Sequence, residues 1–200
     1  MIKITNLNMY MDDQIVLEDI NMYFGRETYL LNGQMHKRKT LFIDKLATSF
    51  IKYNSNIEYV GESGIVYLPR YQILMQDLTV QQNIDFFAKF FNTPSIKVKV
   101  IINHFELDNF LNRKIDSLSS DTKQLVRIVC VFLNINASVY LLDNITEHLS
   151  RAQIDLVKMY LKQVDTNCTL IFSKLNSHGI EEFNPRILNI VDKKFVYEEK

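Results

Sequence analysis

The chain has 200 residues, 47% of them hydrophobic and 23% charged, with no low-complexity tract, which suffices for one domain with a proper core and excludes a disordered or fibrous protein. Lys+Arg and Asp+Glu balance at 23 each, so no overall field draws in nucleic acid, and a nucleic-acid partner is not expected. The densest basic cluster is Lys37-Arg38-Lys39.

Residues 2–32 read as short strands. Ile2-Lys3-Ile4 and Ile15-Val16-Leu17 flank a polar turn at Asp12-Asp13, and a more apolar strand follows at 28–31. Phe42, Ile43, Leu46, Ala47 and Phe50 recur at helical spacing, so a helix is expected from about Lys39. Residues 64–68 read as another buried strand, ended by Pro69. Thr79-Val80-Gln81-Gln82 has the form of a capping box. It opens a helix with Ile84, Phe87, Ala88 and Phe91 on one face, and Pro94 closes that segment. A second helix is expected at 95–105 and a short one at 109–112. No strand pattern appears between 71 and 118, so this stretch reads as a helical insertion.

Alternation of strand and helix then resumes. A helix over 121–133 carries Leu125, Ile128, Val129, Phe132 and Leu133, and a strand covers 139–142. Ser150-Arg151-Ala152-Gln153 forms a second capping box, before a helix with Ile154, Val157, Leu161 and Val164 on one face. A strand at 169–172 and a hairpin of 186–190 with 194–197 complete the pattern. Apolar strands separated by amphipathic helices predict an α/β fold, with a mostly parallel sheet covered on both faces. Ligands of such sheets bind at the carboxyl ends of the strands, where Gly33 and Asp143 both fall.

Cys130 and Cys168 lie in apolar stretches and read as buried free thiols of a reducing cytosol. The segment 1–6 lacks the charged-then-apolar order of a signal peptide. The best apolar run, 125–142, is cut by Arg127, Asn134 and Asn136, so the chain is not expected to cross a membrane by itself. His104 and His148 have no partners at metal-ligand spacing.

Two fragments carry the chemistry. Gly33-Gln34-Met35-His36-Lys37-Arg38-Lys39-Thr40 follows an apolar strand, precedes a helix, and fits the phosphate-loop template G-x-x-x-x-G-K-[ST] with Arg38 at the second glycine. Val139-Tyr140-Leu141-Leu142-Asp143-Asn144 is a buried strand ending in a carboxylate. A Cβ at position 38 is expected to restrict φ and strain the loop by roughly 1–3 kcal/mol. Against that, His36, Lys37 and Arg38 add positive charge where an anion would sit. The balance predicts retained but reduced anion affinity.

The order of the fragments resembles the nucleotide-binding subunit of ATP-binding-cassette (ABC) transporters, over almost the whole chain. Pro69-Arg70 followed by Asp77-Leu78-Thr79-Val80-Gln81-Gln82-Asn83-Ile84 is similar to the family's glutamine-loop region and the helix after it. Ser117-Leu118-Ser119-Ser120-Asp121-Thr122-Lys123-Gln124 resembles a degraded L-S-G-G-Q signature. Leu141-Leu142-Asp143-Asn144-Ile145-Thr146 is similar to the strand where the family has L-L-D-E-P-T. The resemblance implies one nucleotide-binding domain over 1–200: a phosphate-loop NTPase core (1–70 and 126–200) with N-terminal antiparallel strands, and a helical subdomain at 71–125.

By the same resemblance, ATP and Mg²⁺ are the expected cofactors. Gly33, His36, Lys37, Arg38 and Lys39 would hold phosphate, Thr40 and Asp143 the Mg²⁺, and Tyr10 would stack on adenine. Ser119, Ser120 and Asp121 would face the ATP of a second nucleotide-binding subunit, identical or different, with Asp121 bringing a repulsive charge. Alternatively Ser120 or Asp121 simply caps the helix that follows. Three water-handling positions are substituted: Asn144 stands where the family has its glutamate, Arg70 where it has the loop glutamine, and Leu175 where it has the switch histidine. His178 lies three positions late. General-base positioning is worth about 10²–10⁴-fold, so slow hydrolysis is expected. The resemblance further implies a cytoplasmic chain held at the membrane by integral membrane subunits. Phe86-Phe87 and Phe90-Phe91 read as core, or as a docking surface for them. Three rival readings stand beside this one: a competent ATPase with Glu147 as its base, an interaction module that takes no nucleotide, and, more distantly, a phosphate-loop kinase, which would leave residues 118–122 unexplained.

Overall fold

A computed structural model describes residues 1–33, 35–61, 64–164, 167–173 and 181–198. Strands β1 (Ile2–Met11), β2 (Gln14–Phe24) and β4 (Ile57–Tyr59) form an antiparallel sheet in the order β2-β1-β4. The first two strands are longer than their hydrophobic alternation suggests, because polar residues interrupt the pattern without ending the pairing. Asn6 and Asp19 take left-handed φ values of 48° at register shifts. The side chains of Asn21 and Asn8 accept from the displaced backbone N–H groups of Asn6 (2.9 Å) and Asp19 (2.7 Å). Such bulges satisfy the ladder while bending it. The turn residues Asp12 and Asp13 have φ values of 50° and 59°, as a two-residue hairpin of primed type requires.

The second sheet has the order β5-β6-β7-β3-β8-β9, from β3 (Thr28–Leu31), β5 (Ile65–Leu68), β6 (Val139–Asp143), β7 (Thr169–Ser173), β8 (Arg186–Val191) and β9 (Lys194–Tyr197). Its first five strands are parallel, and β9 turns back antiparallel on β8. Every residue of β3, β6 and β7 is buried, which is why these strands read as unbroken apolar runs. The helices are α1 (His36–Ile51), α2 (Val80–Phe90), α3 (Ser95–His104), α4 (Ser120–Phe132) and α5 (Arg151–Val164). Between β5 and β6 lie α2, α3, two 3-10 turns and α4, with no named strand among them.

Two apolar cores flank the parallel sheet. One joins Phe42, Ile43 and Leu46 of α1 to the inner faces of both sheets. The other joins α2, α3, α4 and α5 to the opposite face. Its centre is aromatic: Phe132 stacks on Tyr160 at 4.8 Å between centroids, with Phe105 at 6.1 Å and Tyr140 at 6.0 Å.

Both capping boxes form. Gln82 N–H donates to Thr79 Oγ1 while Gln82 Oε1 accepts from Thr79 N–H, and Ser150 and Gln153 repeat the exchange. Asn83, fully buried, anchors the loop before α2 by accepting from Met75 N–H and donating to the carbonyls of Met75 and Thr79. The cysteines are free thiols; Cys130 is buried as expected, whereas Cys168 is half-buried. No described helix is long and apolar enough to cross a membrane.

Candidate functional site

Parallel strands put their carboxyl ends on one edge of the sheet, and the site is built there. β3 ends at Leu31, and the chain turns at Gly33, whose φ of 93° is a conformation that a side chain rarely adopts. It then enters α1 at His36. The helix therefore starts three residues before the expected Lys39, so His36, Lys37 and Arg38 form its first turn rather than loop. This corrects the expectation of strain at Arg38: the residue is helical, and Gly33 carries the loop's positive φ among the described residues. A glycine at position 38 is not needed for backbone conformation here.

Lys39 is fully buried and donates from Nζ to Gly33 O at 2.6 Å, closing the loop on itself. Burial lowers its pKa; the carboxylate of Asp143 acts to raise it and the guanidinium of Arg70 to lower it further. Thr40 Oγ1 donates to Asp143 Oδ2 at 2.6 Å, across 103 residues of sequence. The bend after β3 and the end of β6 thus meet, with a lysine, a hydroxyl and a carboxylate at one place. A hydroxyl beside a carboxylate is the hard-oxygen donor set that suits Mg²⁺, so the residues present fit that ion.

The first turn of α1 has an unusual charge pattern. It holds no acidic residue, its N-cap Met35 makes no side-chain cap, and His36, Lys37 and Arg38 are basic. Positive side chains at the positive end of a helix are unfavourable by about 0.3–1 kcal/mol each. An anion bound at the N–H groups would reverse that sign.

Asn144 follows Asp143 with φ 55°, a left-handed conformation that asparagine tolerates. Its N–H donates to Ser173 O at 2.8 Å, and its buried Nδ2 has no hydrogen-bond partner among the described residues. Arg70 lies just past β5, and its Nη2 is 3.8 Å from Glu147 Oε1. Tyr10 is exposed near the end of β1, paired with Ile15 across the hairpin. Leu175 and His178 lie outside the described residues.

At the start of α4 the N-cap is Ser119, not Ser120 or Asp121. The Ser119 hydroxyl pairs with that of Thr122 at 2.9 Å instead of capping the backbone. Asp121 accepts from Gln153 Nε2 of α5 at 3.1 Å. Hydrogen bonds from Ser119 and Gln153 help hold its carboxyl below the usual range, and it stays ionised at neutral pH.

Three further residues escape a linear reading. Asp44 lies one turn after Thr40 on the same face of α1, accepts from Tyr67 OH, and feels the charge of Asp143. That i,i+4 spacing was a usable signal. Arg127 of α4 donates to Tyr71 O at 2.9 Å and also to Pro69 O, and Gln124 donates to Ile145 O at 3.0 Å. The signal for Arg127 was a charge inside an apolar helical run.

A strand-to-helix bend over a buried lysine, facing a carboxylate on a nearby parallel strand, defines a phosphate-loop NTPase fold. The antiparallel sheet packed beside it, and the helical segment between β5 and β6, are those of an ATP-binding cassette. A solved structure described as the ATP-binding subunit of an ABC transporter superposes with TM-score 0.83 at 18% identity, covering 98% of this chain and 89% of that one. In sequence, the uncharacterized ABC transporter ATP-binding protein MJ1023 of Methanocaldococcus jannaschii is 26% identical over 203 residues, 98% of this chain and 76% of that protein. The cytochrome c biogenesis ATP-binding export protein CcmA of Rickettsia typhi is 28% identical over 127 residues, 64% of this chain and 58% of that protein. No protein-family model matches the chain. The chain has the ATP-binding-cassette fold, and its sequence is similar to ABC transporter ATP-binding proteins, as the motif order implied.

Proposed function

We propose that this chain is the ATP-binding subunit of an ABC transporter in a degenerate form, binding Mg-ATP at the bend after β3 and hydrolysing it slowly. The observation that carries the reading is the meeting of a buried Lys39 with the Thr40–Asp143 pair, below a helix N-terminus that is basic and uncapped. In this reading Lys39 exchanges its bond to Gly33 O for phosphate oxygens. Thr40 and Asp143 hold the Mg²⁺, which when bound neutralises phosphate charge. Tyr10 offers an exposed ring to the adenine. Asn144 orients groups by hydrogen bonding but takes no proton, because an amide is not a base in this range.

The chain would work in a pair with a second nucleotide-binding subunit, offering Ser119, Ser120 and Asp121 to the partner's phosphate, and would sit at the inner face of the membrane through membrane-spanning subunits. Residues 71–125 would form the lobe that meets them. A cavity of about 300 Å³ lined by Ile51, Tyr67, Tyr71, Phe87 and Phe91 supports that docking, and Phe86 and Phe90 are exposed close by in sequence. Titration calorimetry with Mg-ATP tests the reading. Saturable binding is expected, and none at millimolar nucleotide would leave an interaction module on the same fold.

The rival base Glu147 stands three residues beyond Asn144, outside β6, with its carboxylate 3.8 Å from the Arg70 guanidinium. Glu147→Gln is therefore expected to leave the rate of ATP hydrolysis unchanged within about twofold; a loss in the range of a general base, about 10²–10⁴-fold, would make it the base and the chain a working ATPase.

A further inference from the structure

This inference rests on the nucleotide reading above and concerns the same site. The register of β5 on β6 pairs Leu68 with Leu142, so Arg70 leaves the sheet beside Asn144, at the edge that carries Asp143. Its backbone is bracketed: the Arg127 guanidinium donates to the carbonyls of both Pro69 and Tyr71. Arg127 also donates to Gln124 Oε1 at 2.7 Å, and Gln124 in turn donates to Ile145 O. One face of α4 thus pins the segments that carry Arg70 and Asn144. The Arg70 side chain itself is held loosely. Its contact to Glu147 is long at 3.8 Å and both groups are partly exposed, at 42% and 33%, a kind of pair that contributes little. Phosphate oxygens offer a guanidinium stronger, charge-assisted hydrogen bonds.

The bend after β3 is rich in charge. Lys37, Arg38, Lys39 and Arg70 are the basic residues there, set against the carboxylates of Asp44, Asp143 and Glu147. Asn144 adds no carboxylate at this edge. The charge of Arg70 is felt at Lys39, so two cations are held near each other where a polyanion would sit.

We propose that Arg70 is a phosphate-binding residue of this site and supplies positive charge that a divalent cation would otherwise bring, so that nucleoside triphosphate binds with weak dependence on metal. Arg70 leaves Glu147 when the triphosphate enters.

The test is titration of the full chain with a fluorescent ATP analogue, in excess Mg²⁺ and in excess EDTA, for the native protein and Arg70→Gln. The native Kd is expected to differ by less than about threefold between the two conditions, and that of Arg70→Gln by more than about tenfold. Arg70→Lys, which keeps the charge and loses the fork, is expected to fall between them. Thermal unfolding should show both variants folded, since Arg70 is partly exposed. Native binding that collapses in EDTA as far as that of Arg70→Gln overturns the inference and leaves the nucleotide reading standing. No binding in either condition, with the chain folded, overturns both.

Discussion

Lys39→Ala is expected to weaken Mg-ATP binding by about a hundredfold, about 2.7 kcal/mol, while leaving the melting temperature unchanged or higher. The two outcomes belong together. A buried ammonium ion is costly to keep in a folded protein, and burial lowers the Lys39 pKa in spite of the attraction of Asp143. A group with a lowered pKa in the folded state penalises folding while it is charged. The penalty is present at neutral pH and shrinks as pH rises to the lysine's ordinary value, where the unfolded chain also loses the proton. Removing the side chain removes that penalty, together with its bond to Gly33 O. On the proposed reading, a bound anion offsets that cost. Calorimetry and thermal unfolding of one preparation check both halves. A variant that binds normally, or that unfolds far more easily, would mark Lys39 as a structural residue.

Phe132→Ala is expected to cost about 3–5 kcal/mol of stability, by the loss of buried area and the cavity left behind. Phe132 is fully buried and stacks on Tyr160 with the planes 10° apart. It also meets Phe105 of the helical segment and Tyr140 of β6. One ring therefore ties α4 to α3's end, to α5 and to the central sheet. Urea unfolding followed by far-ultraviolet circular dichroism measures the effect. A loss below about 1 kcal/mol would mean that the surrounding rings collapse into the space.

The parts of the site that were legible in the sequence are local ones. A glycine, a lysine and a threonine at fixed offsets between a strand and a helix need no distant information, and neither does an apolar strand ending in Asp143. The capping boxes at Thr79 and Ser150 were legible for the same reason. The helix start was misplaced because basic residues are poor company for a helix N-terminus, and a linear reading assigns them to the loop. β4 was missed because Ile57–Tyr59 is short, and its identity as a strand comes from pairing with Ile2, Lys3 and Ile4. Arg127 and Gln124 were missed because their partners are carbonyls of remote segments, Arg127 with Pro69 and Tyr71 at separations of 58 and 56, and Gln124 with Ile145. A backbone acceptor leaves no mark on residue type.

This site is proposed to hold ATP and to turn it over poorly. Single-turnover hydrolysis of Mg-ATP by an excess of the purified chain, with binding measured in the same buffer, tests it most directly. Saturable binding is expected, with a hydrolysis rate at least about a hundredfold below that of a cassette with an intact general base. Hydrolysis at the rate of an intact cassette, dependent on Lys39, would contradict it.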